Sequence, residues 1–213
     1  ISIINNNASL TNCAPFEINS TIISASNLPA FNDSYFWFID SAGVILPYIS
    51  NTIIPPTYTM QVENYSVTFY LVTNNNDSCS PDTNSITFTT NSNPIAAFTL
   101  DTLQGCNPLT VNIDTSGTTQ NVNYTWEVID QNGIVVQTYN THQSNITLTN
   151  SSNTTDSTYT IRLIAGDPTT GCDSALTSNT ITVFHNPLAN FSLSDTALCA
   201  PNSILVSSTS ITG

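Results

Sequence analysis

The five cysteines of this chain are the residues whose spacing most clearly indicates chemistry. The gaps between successive cysteines are 66, 27, 66 and 27 residues. Thiols at regular spacing either bind zinc or pair as disulfides. Zinc is disfavoured, because no Cys-x-x-Cys motif occurs and neither His142 nor His185 recurs with the cysteines. We therefore predict disulfides, the chemistry of oxidising compartments, for Cys13, Cys79, Cys106, Cys172 and Cys199.

No arrangement of side chains typical of catalysis accompanies the cysteines. A catalytic nucleophile needs a base held beside it, but each histidine occurs once, in a predicted loop or linker. Arg162 is the one basic side chain of the Lys and Arg type, and no glycine-rich phosphate loop is present. We expect no enzyme activity, no metal site and no cofactor, with calcium as the open alternative. Two oxygen-rich segments without EF-hand spacing keep calcium open, Asn74–Asp77 and Asp167–Asp173.

The alternating gaps between cysteines add up to a repeat of 93 residues. Cys13, Cys106 and Cys199 each begin a Cys-x-Pro motif, and the segment at 93–100 recurs at 186–193. A fixed period of this length indicates tandem copies of a small domain. We divide the chain into a first repeat (1–92), a second repeat (93–185) and the N-terminal part of a third (186–213). Because this last part is too short for a domain and the chain starts at Ile1, we expect a segment of a longer protein.

The composition of the chain disfavours nucleic acids and membranes as partners. The formal net charge is −13, and only 7% of the residues are charged. Nucleic acids and anionic membrane surfaces both attract basic proteins, so neither is expected to bind here. No apolar run approaches the roughly 18 residues of a membrane span. Asn, Ser and Thr together supply the polar surface, and such a lysine-poor surface suits an exported, extracellular protein.

The apolar residues alternate with polar residues in short segments, which is the pattern of β-strands. Seven such segments occur in each repeat, and turn residues separate them. This number and spacing predict an all-β chain of tandem immunoglobulin-like, seven-stranded β-sandwiches. The linkers contain proline and no glycine, so we expect the sandwiches to form a stiff rod. The predicted strands are 1–4, 16–18, 35–39, 44–46, 58–62, 65–72 and 85–89 in the first repeat, and 95–100, 109–113, 122–129, 134–138, 145–149, 159–165 and 180–184 in the second.

Four aromatic residues are predicted to lie in the cores of the sandwiches. Trp37 and Trp126 fall on the third predicted strand of each repeat, where a buried tryptophan is typical of such folds. Tyr65 and Tyr159 open the sixth predicted strand, each in a Tyr-x-apolar-x-apolar pattern. We interpret all four as core residues, with stacking on a ligand as the alternative for the tryptophans.

The motifs of the second repeat resemble the polycystic-kidney-disease (PKD) type of repeat. The resemblance rests on Asn93-Pro94-Ile95-Ala96-Ala97-Phe98, Gly105-Cys106-Asn107-Pro108, Trp126, Tyr159-Thr160-Ile161 and Gly171-Cys172-Asp173-Ser174. It is closest in kind to the cysteine-bearing version found in tandem in very large surface proteins of Bacteroidetes, including flavobacterial gliding-motility adhesins. The family's usual Trp-Asp-Phe-Gly-Asp-Gly is replaced by Trp37-Phe38-Ile39-Asp40 and by Trp126-Glu127-Val128-Ile129. The repeats are therefore PKD-like, and functions tied to that loop do not transfer.

The order of strands in a sandwich decides between two pairings of the cysteines. The second and sixth strands of a seven-stranded sandwich run parallel, and Cys13 precedes the second whereas Cys79 follows the sixth. The two would then lie about 27 Å apart, the length of a strand of roughly 8 residues. A disulfide needs Cα atoms within about 7 Å. Cys13 lies in a loop at the end where the chain leaves its repeat, and Cys172 lies in a loop at the end where the chain enters the next repeat, so the two ends abut across the short linker. We therefore predict a bridge between Cys13 and Cys172 that joins neighbouring repeats, with partners outside this sequence for Cys79, Cys106 and Cys199.

Nine of the eleven aspartates are followed by Ser or Thr, more than chance pairing gives. Turn formation explains part of this excess. The resemblance to exported Bacteroidetes proteins implies O-glycosylation where Ala, Ile, Leu, Val, Met or Thr follows the pair. The positions that satisfy this narrower pattern are Ser41, Thr102, Ser157, Ser174 and Thr196.

Two functions remain open at the level of the sequence. The first is structural: a stalk segment of a long cell-surface filament or adhesin, in which neighbouring repeats of the same chain are the partners. The resemblance implies secretion by the type IX system and a role in adhesion or gliding. The alternative is a carbohydrate-binding or spacer module of a secreted glycan-degrading enzyme. That alternative requires exposed aromatic platforms, whereas most aromatic residues here fall at predicted core positions.

Overall fold

A computed structural model describes residues 1–6, 9–26, 34–46, 52–74, 80–197, 199–201 and 203–210 of the chain. All regular structure in these ranges is β-strand. The same ranges include no helix that has the length and apolar character to cross a membrane. The chain divides into two compact units. The first unit consists of Ile1–Asn93 with Asp167–Cys172, and the second consists of Pro94–Gly166 with Asp173–Gly213.

Nine strands make up the described part of the first unit: β1 (Ser2–Asn5), β2 (Thr11–Cys13), β3 (Phe16–Ile18), β4 (Ile23–Ser26), β5 (Ser34–Ser41), β6 (Val44–Ile45), β7 (Tyr58–Met60), β8 (Ser66–Asn74) and β9 (Asp82–Asn91). The largest sheet has the order β2-β9-β8-β5-β6. Strand β2 runs parallel to β9, and the other neighbours in this sheet are antiparallel. Two further antiparallel pairs, β1 with β4 and β3 with β7, complete the unit.

Eleven strands make up the described part of the second unit: β10 (Thr99–Leu100), β11 (Gln104–Cys106), β12 (Leu109–Asp114), β13 (Asn123–Asp130), β14 (Val135–Tyr139), β15 (Asn145–Leu148), β16 (Ser157–Gly166), β17 (Asp173–Thr177), β18 (Ile181–Phe184), β19 (Phe191–Leu193) and β20 (Val206–Ser208). One sheet has the order β11-β18-β16-β13-β14, with β17 also paired to β16. A second sheet has the order β10-β12-β15, and β19 pairs with β20.

Alternation along the strands builds the core of each unit. In β8, Val67, Phe69 and Leu71 are fully buried, and Thr68 and Tyr70 between them point to the opposite face. In the second unit, apolar side chains of β12 and β15 pack against those of β13, β16 and β18, which belong to the other sheet. Two sheets that share one core form a β-sandwich. The buried core side chains of the second unit are Leu109, Val111, Ile113, Trp126, Val128, Ile146, Leu148, Ile161, Leu163, Ile181 and Val183.

The 93-residue repeat of the sequence reappears in the register of strand pairing. Cys13 of β2 lies opposite Asn91 of β9, and Cys106 of β11 lies opposite Phe184 of β18, so both members of the pair shift by 93 residues. Leu100 lies opposite Ile113 in the second unit, and the residues 93 positions later, in β19 and β20, are paired in the same way. The Cys-x-Pro motifs also share a cis peptide bond before Pro15, Pro108 and Pro201.

The structure contains more strands than the seven predicted for each repeat. The additional strands are β2 and β4 in the first repeat and β11 and β17 in the second, and β19 and β20 belong to the partial third repeat. The strand predicted over 95–100 was too long, because only Thr99 and Leu100 pair as a strand. In the preceding residues the side chain of Thr118 takes the place of a partner strand. Its hydroxyl accepts from the amide of Ala97 (3.2 Å) and donates to the carbonyl of the same residue.

The hairpins β5–β6 and β13–β14 turn differently, although an aspartate carboxylate accepts a hydrogen bond from the turn backbone in each. In the first unit Ala42 and Gly43 both have positive φ, of 54° and 82°, and the Asp40 carboxylate accepts from the amide of Gly43 at 2.7 Å. In the second unit Gly133 has a φ of 79°, and Asp130 accepts from the amide of Ile134 at 2.9 Å. Positive φ at two successive residues is the geometry of a tight type I′ hairpin.

Candidate functional site: a cysteine cross-link

A disulfide joins Cys13 to Cys172 across 159 residues of sequence. The two Cα atoms are 5.4 Å apart. This is the pairing that strand order predicts in place of Cys13–Cys79. A disulfide of this kind is typical of oxidising compartments.

Cys13 is positioned by the parallel pairing of β2 with the end of β9. The next residue, Ala14, is buried, and its carbonyl accepts a hydrogen bond from Nδ2 of Asn93 at 2.9 Å. Asn93 follows the last strand of the first unit, so its side chain ties the C-terminal end of that strand to the residue after Cys13.

Cys172 is positioned by a short segment, Asp167–Cys172, which we term the cysteine loop. The amide of Asp167 donates to the carbonyl of Cys172 at 2.8 Å, and the amide of Gly171 donates to the carbonyl of Asp167 at 2.9 Å. Gly171 has a φ of 73°, which an L side chain rarely adopts. The loop lies in sequence between two strands of the second unit, yet it belongs to the first compact unit, and Cys172 is fully buried.

The carboxylate of Asp167 stabilises the cysteine loop from within. Its Oδ1 accepts from the amide of Thr169 at 2.7 Å, and this bond, together with a longer one from Thr170, lowers the pKa of Asp167. This carboxylate oxygen is therefore already occupied by hydrogen bonds from the backbone of the same loop. The described residues contain no group of three or more His, Cys, Asp or Glu side chains arranged to hold a metal ion. The other predicted calcium segment, Asn74–Asp77, lies almost wholly outside the described residues.

The remaining cysteines differ in their surroundings. Cys106 and Cys199 are exposed and carry no disulfide. Cys106 lies at the end of β11, in the same register as Cys13, whereas Cys199 lies outside any strand. Cys79 falls outside the described residues.

Asn150 fixes the residue that follows Cys106, and sequence reasoning did not identify it. The backbone amide of Asn150 donates to Oδ1 of Asn107 at 2.8 Å, and Nδ2 of Asn107 donates back to the Asn150 carbonyl at 2.8 Å. The Asn150 side chain also donates to the carbonyls of Thr155 and Val183, at 2.8 and 3.0 Å. The only available signal was an asparagine directly after a predicted strand, which resembles any loop residue.

The four predicted core aromatics occupy two kinds of environment. Trp37 and Trp126 are fully buried, and the rings of Trp126 and Phe98 form a T-shaped pair with a centroid distance of 5.2 Å. Tyr65 and Tyr159 are half-buried, and their hydroxyls form hydrogen bonds. The hydroxyl of Tyr65 lies 2.6 Å from Oγ of Ser41, and the hydroxyl of Tyr159 donates to the carbonyl of Thr149 at 2.7 Å.

The five predicted glycosylation positions are not equally accessible. The Ser174 hydroxyl donates to the carbonyl of Pro94 at 2.5 Å and accepts from the amide of Ala96 at 2.9 Å. The hydroxyl of Ser41 is engaged with Tyr65, as described above. Thr196 is the exposed member of the set, and Ser41, Thr102, Ser157 and Ser174 are all half-buried.

Both histidines form local polar contacts. Nδ1 of His185 lies 2.7 Å from Oδ1 of Asp156, and this hydrogen bond lowers the pKa of the Asp156 carboxyl. Nε2 of His142 lies 2.9 Å from the hydroxyl of Thr115. These contacts tie loops to neighbouring elements within the second unit.

The two units differ on the sheet face that points away from the core. Phe38 lies opposite Tyr70 in the first unit, and their rings stack at a centroid distance of 4.7 Å with 11° between the planes. Glu127 lies opposite Arg162 at the corresponding place of the second unit, where Nη1 of the arginine is 3.3 Å from the carboxylate. The sequence analysis did not predict this half-buried aromatic pair on the outer face. Phe38 and Tyr70 each follow a buried aromatic residue, Trp37 and Phe69, along their strands, so alternation places them on the opposite face.

Comparison with known proteins adds no family to these observations. No protein-family model matches the chain, and no curated protein matches it significantly. The geometry of the chain itself is therefore the evidence for its function. The chain is all-β in its described part, and its cysteine-bearing strand recurs after 93 residues. A disulfide joins two cysteines that are 159 residues apart in the sequence.

Proposed function

We propose that this chain is a non-catalytic stalk segment of a long extracellular filament or adhesin, made of tandem immunoglobulin-like, PKD-like sandwiches arranged as a rod. Its partners are neighbouring repeats of the same chain. The parent molecule reaches the cell surface by secretion and serves adhesion or gliding. The stalk supplies length and resistance to force, and other parts of the parent bind the surface.

The observation that carries this proposal is the common register of the two cysteine-bearing strands. Cys13 pairs in β2 with the same geometry as Cys106 in β11, 93 residues later. Tandem repeats that present the same attachment point in each copy stack in series along the chain, each contacting its neighbours. Head-to-tail contacts extend as an open filament wherever the rotation between copies does not close a ring. This supports a filament better than a compact assembly.

Two further features support an extracellular sandwich. The disulfide favours an oxidising environment. The hydroxyl of Tyr159, on the long strand β16, bonds to a backbone carbonyl ten residues upstream. A tyrosine that bonds back to the preceding chain is a recurrent feature of immunoglobulin-like sandwiches.

Electron microscopy of the cells that make this protein tests the proposal. Gold-labelled antibodies raised against residues 1–213 should decorate extracellular threads at several positions along each thread. The same antibodies, absorbed beforehand with the purified chain, provide the control. Label confined to the cell interior, or to compact released particles, would reject the stalk.

A carbohydrate-binding module is the second candidate, favoured by the Phe38–Tyr70 ring pair on the face of the five-stranded sheet that points away from the core. Aromatic side chains on a sheet surface provide apolar contact for sugar rings. Pull-down on insoluble glucan, xylan and chitin measures this binding. Phe38→Ala should weaken it at least tenfold, which is about 1.4 kcal/mol. Glu127→Ala, at the corresponding place of the second unit, is the matched control, and equal binding by both variants would remove this candidate.

A further inference from the structure

The second unit repeats the cysteine-bearing strand of the first unit, and no segment in the described part of the chain covers the cysteine of this strand. In the first unit, Cys13 ends a strand that runs parallel to β9, and the cysteine loop is bonded to it. In the second unit, Cys106 ends a strand that runs parallel to β18 in the same register. Its thiol is exposed and unbonded.

The residue after the cysteine is also more buried in the first unit than in the second. Ala14, which follows Cys13, is 7% exposed. Asn107, which follows Cys106, is half-buried although its side chain is held by Asn150. Cys172 is fully buried where it meets Cys13. The first unit therefore shows what covers this position, namely a loop with the sequence Asp-Pro-Thr-Thr-Gly-Cys.

We propose that the surface around Cys106 is a docking site for a further copy of the cysteine loop, which it holds through a disulfide. This inference deepens the proposed function, on which it rests, by naming the segment that each repeat receives. Specificity comes from the shape of the loop, because its hydrogen bonds all lie between residues 167 and 172 and Gly171 supplies the left-handed backbone. The bond forms when the two thiols lose two protons and two electrons to a disulfide-type oxidant, which becomes a dithiol.

A synthetic loop peptide tests the docking site directly. The probe is the N-acetylated, C-amidated peptide Asp-Pro-Thr-Thr-Gly-Cys-Asp, activated as a mixed disulfide with 5-thio-2-nitrobenzoate. Attack by a protein thiolate on the peptide sulfur forms the protein–peptide disulfide and releases the coloured aromatic thiolate. The protein is the full chain carrying Cys79→Ser with its Cys13–Cys172 bridge intact, so that Cys106 and Cys199 are the reacting thiols. The wild-type chain is measured in parallel.

Cys199 is the matched control within the same molecule. It begins the same Cys-x-Pro motif and is also exposed, but no strand runs beside it among the described residues. Exchange is measured at equilibrium against glutathione, and peptide mapping by mass spectrometry assigns the bound peptide to each cysteine. We expect the exchange constant at Cys106 to exceed that at Cys199 at least tenfold, which is about 1.4 kcal/mol. The preference should disappear with a peptide carrying Gly171→Ala.

Equal exchange constants at the two cysteines would overturn the docking site, as would equal capture of the normal and the Gly171→Ala peptides. Either result shows a thiol that reacts without recognising the loop. These outcomes are separate from the test of the stalk, because antibody label on threads can be present whether or not Cys106 prefers the peptide.

Discussion

Asn150 is 4% exposed, and its side chain forms hydrogen bonds to backbone groups that would otherwise pair with a neighbouring strand. It donates to the carbonyls of Thr155 and Val183 and accepts from the amide of Ser152 at 2.8 Å. Its backbone exchanges two hydrogen bonds with Asn107. A single buried residue therefore fixes the loop after β15, the end of β18 and the motif that contains Cys106.

Replacement of Asn150 should be costly because its partners stay buried. Asn150→Ala removes three side-chain hydrogen bonds and leaves the carbonyl of the buried Val183 without its donor. Unsatisfied buried groups of this kind lower the free energy of unfolding, here by about 2–3 kcal/mol. Urea unfolding of the second unit, followed by tryptophan fluorescence of Trp126, measures the loss.

Asn153 lies in the same loop and is exposed, so Asn153→Ala is the matched control. Its effect should stay within about 0.5 kcal/mol. If both variants unfolded at the same urea concentration, the hydrogen-bond network would have no role in stability.

At the scale of elements, the hairpin β5–β6 contains a residue poorly suited to its backbone. Ala42 has a φ of 54°, a conformation that disfavours L residues other than Asn, Asp and Gly. Type I′ turns prefer Asn followed by Gly, and Gly43 already occupies the second place. The turn therefore holds its geometry through Gly43 and the carboxylate of Asp40.

Ala42→Asn should stabilise the first unit by about 1 kcal/mol, because asparagine tolerates the left-handed conformation. Gly43→Ala should destabilise it by about 1–2 kcal/mol. No atom lies within 4 Å of a Cβ added at Gly43, so the second effect comes from the backbone alone. Thermal unfolding of the two variants checks both signs. A stabilising Gly43→Ala would contradict the turn assignment.

Alternation of apolar residues predicted the long strands well, because each of them buries one face. The strands β5, β8, β13 and β16 all lie within a few residues of their predicted limits. Strands β2 and β11 were missed, because Thr-Asn-Cys and Gln-Gly-Cys carry no alternating pattern. They are held by parallel pairing to distant strands, which a local pattern does not encode.

The division of one strand into two in the second unit was also beyond the sequence pattern. Leu163 lies opposite Leu176 and Tyr159 lies opposite Ile181, so one extra residue is present on the second strand. The first unit has no such excess, since Leu71 lies opposite Asn84 and Val67 opposite Phe88. An extra residue makes a bulge that interrupts the ladder and separates β17 from β18. Of the candidate site, the cysteine pairing followed from strand order, and the outward aromatic pair was missed although alternation encodes it. The Asn150 network depends on contacts between distant residues, which no local pattern encodes.

At the scale of the whole molecule, the disulfide restricts the unfolded chain more than the folded one. A bridge that closes 159 residues removes a large amount of conformational entropy from the unfolded state. Chain-entropy models give about 5 kcal/mol for a loop of this length.

Cys13→Ser should therefore lower the free energy of unfolding by up to about 5 kcal/mol. Differential scanning calorimetry under non-reducing conditions measures the change. Cys199→Ser is the control, because Cys199 is exposed and unbonded, and it should change the unfolding temperature little. Equal unfolding temperatures for the two variants would show that the bridge adds no stability.

The bond between Cys13 and Cys172 also decides which residues bear tension when the two ends of the chain are pulled apart. Load passes directly through the sulfur atoms, so the polypeptide enclosed by the bridge is shielded and stays folded under strain. Only the residues outside the bridge extend, to a contour length of about 200 Å, whereas a reduced chain of 213 residues would extend to about 750 Å. Oxidation thus shortens the extension of the chain under load several-fold, which an optical trap would register as a shortened rupture length.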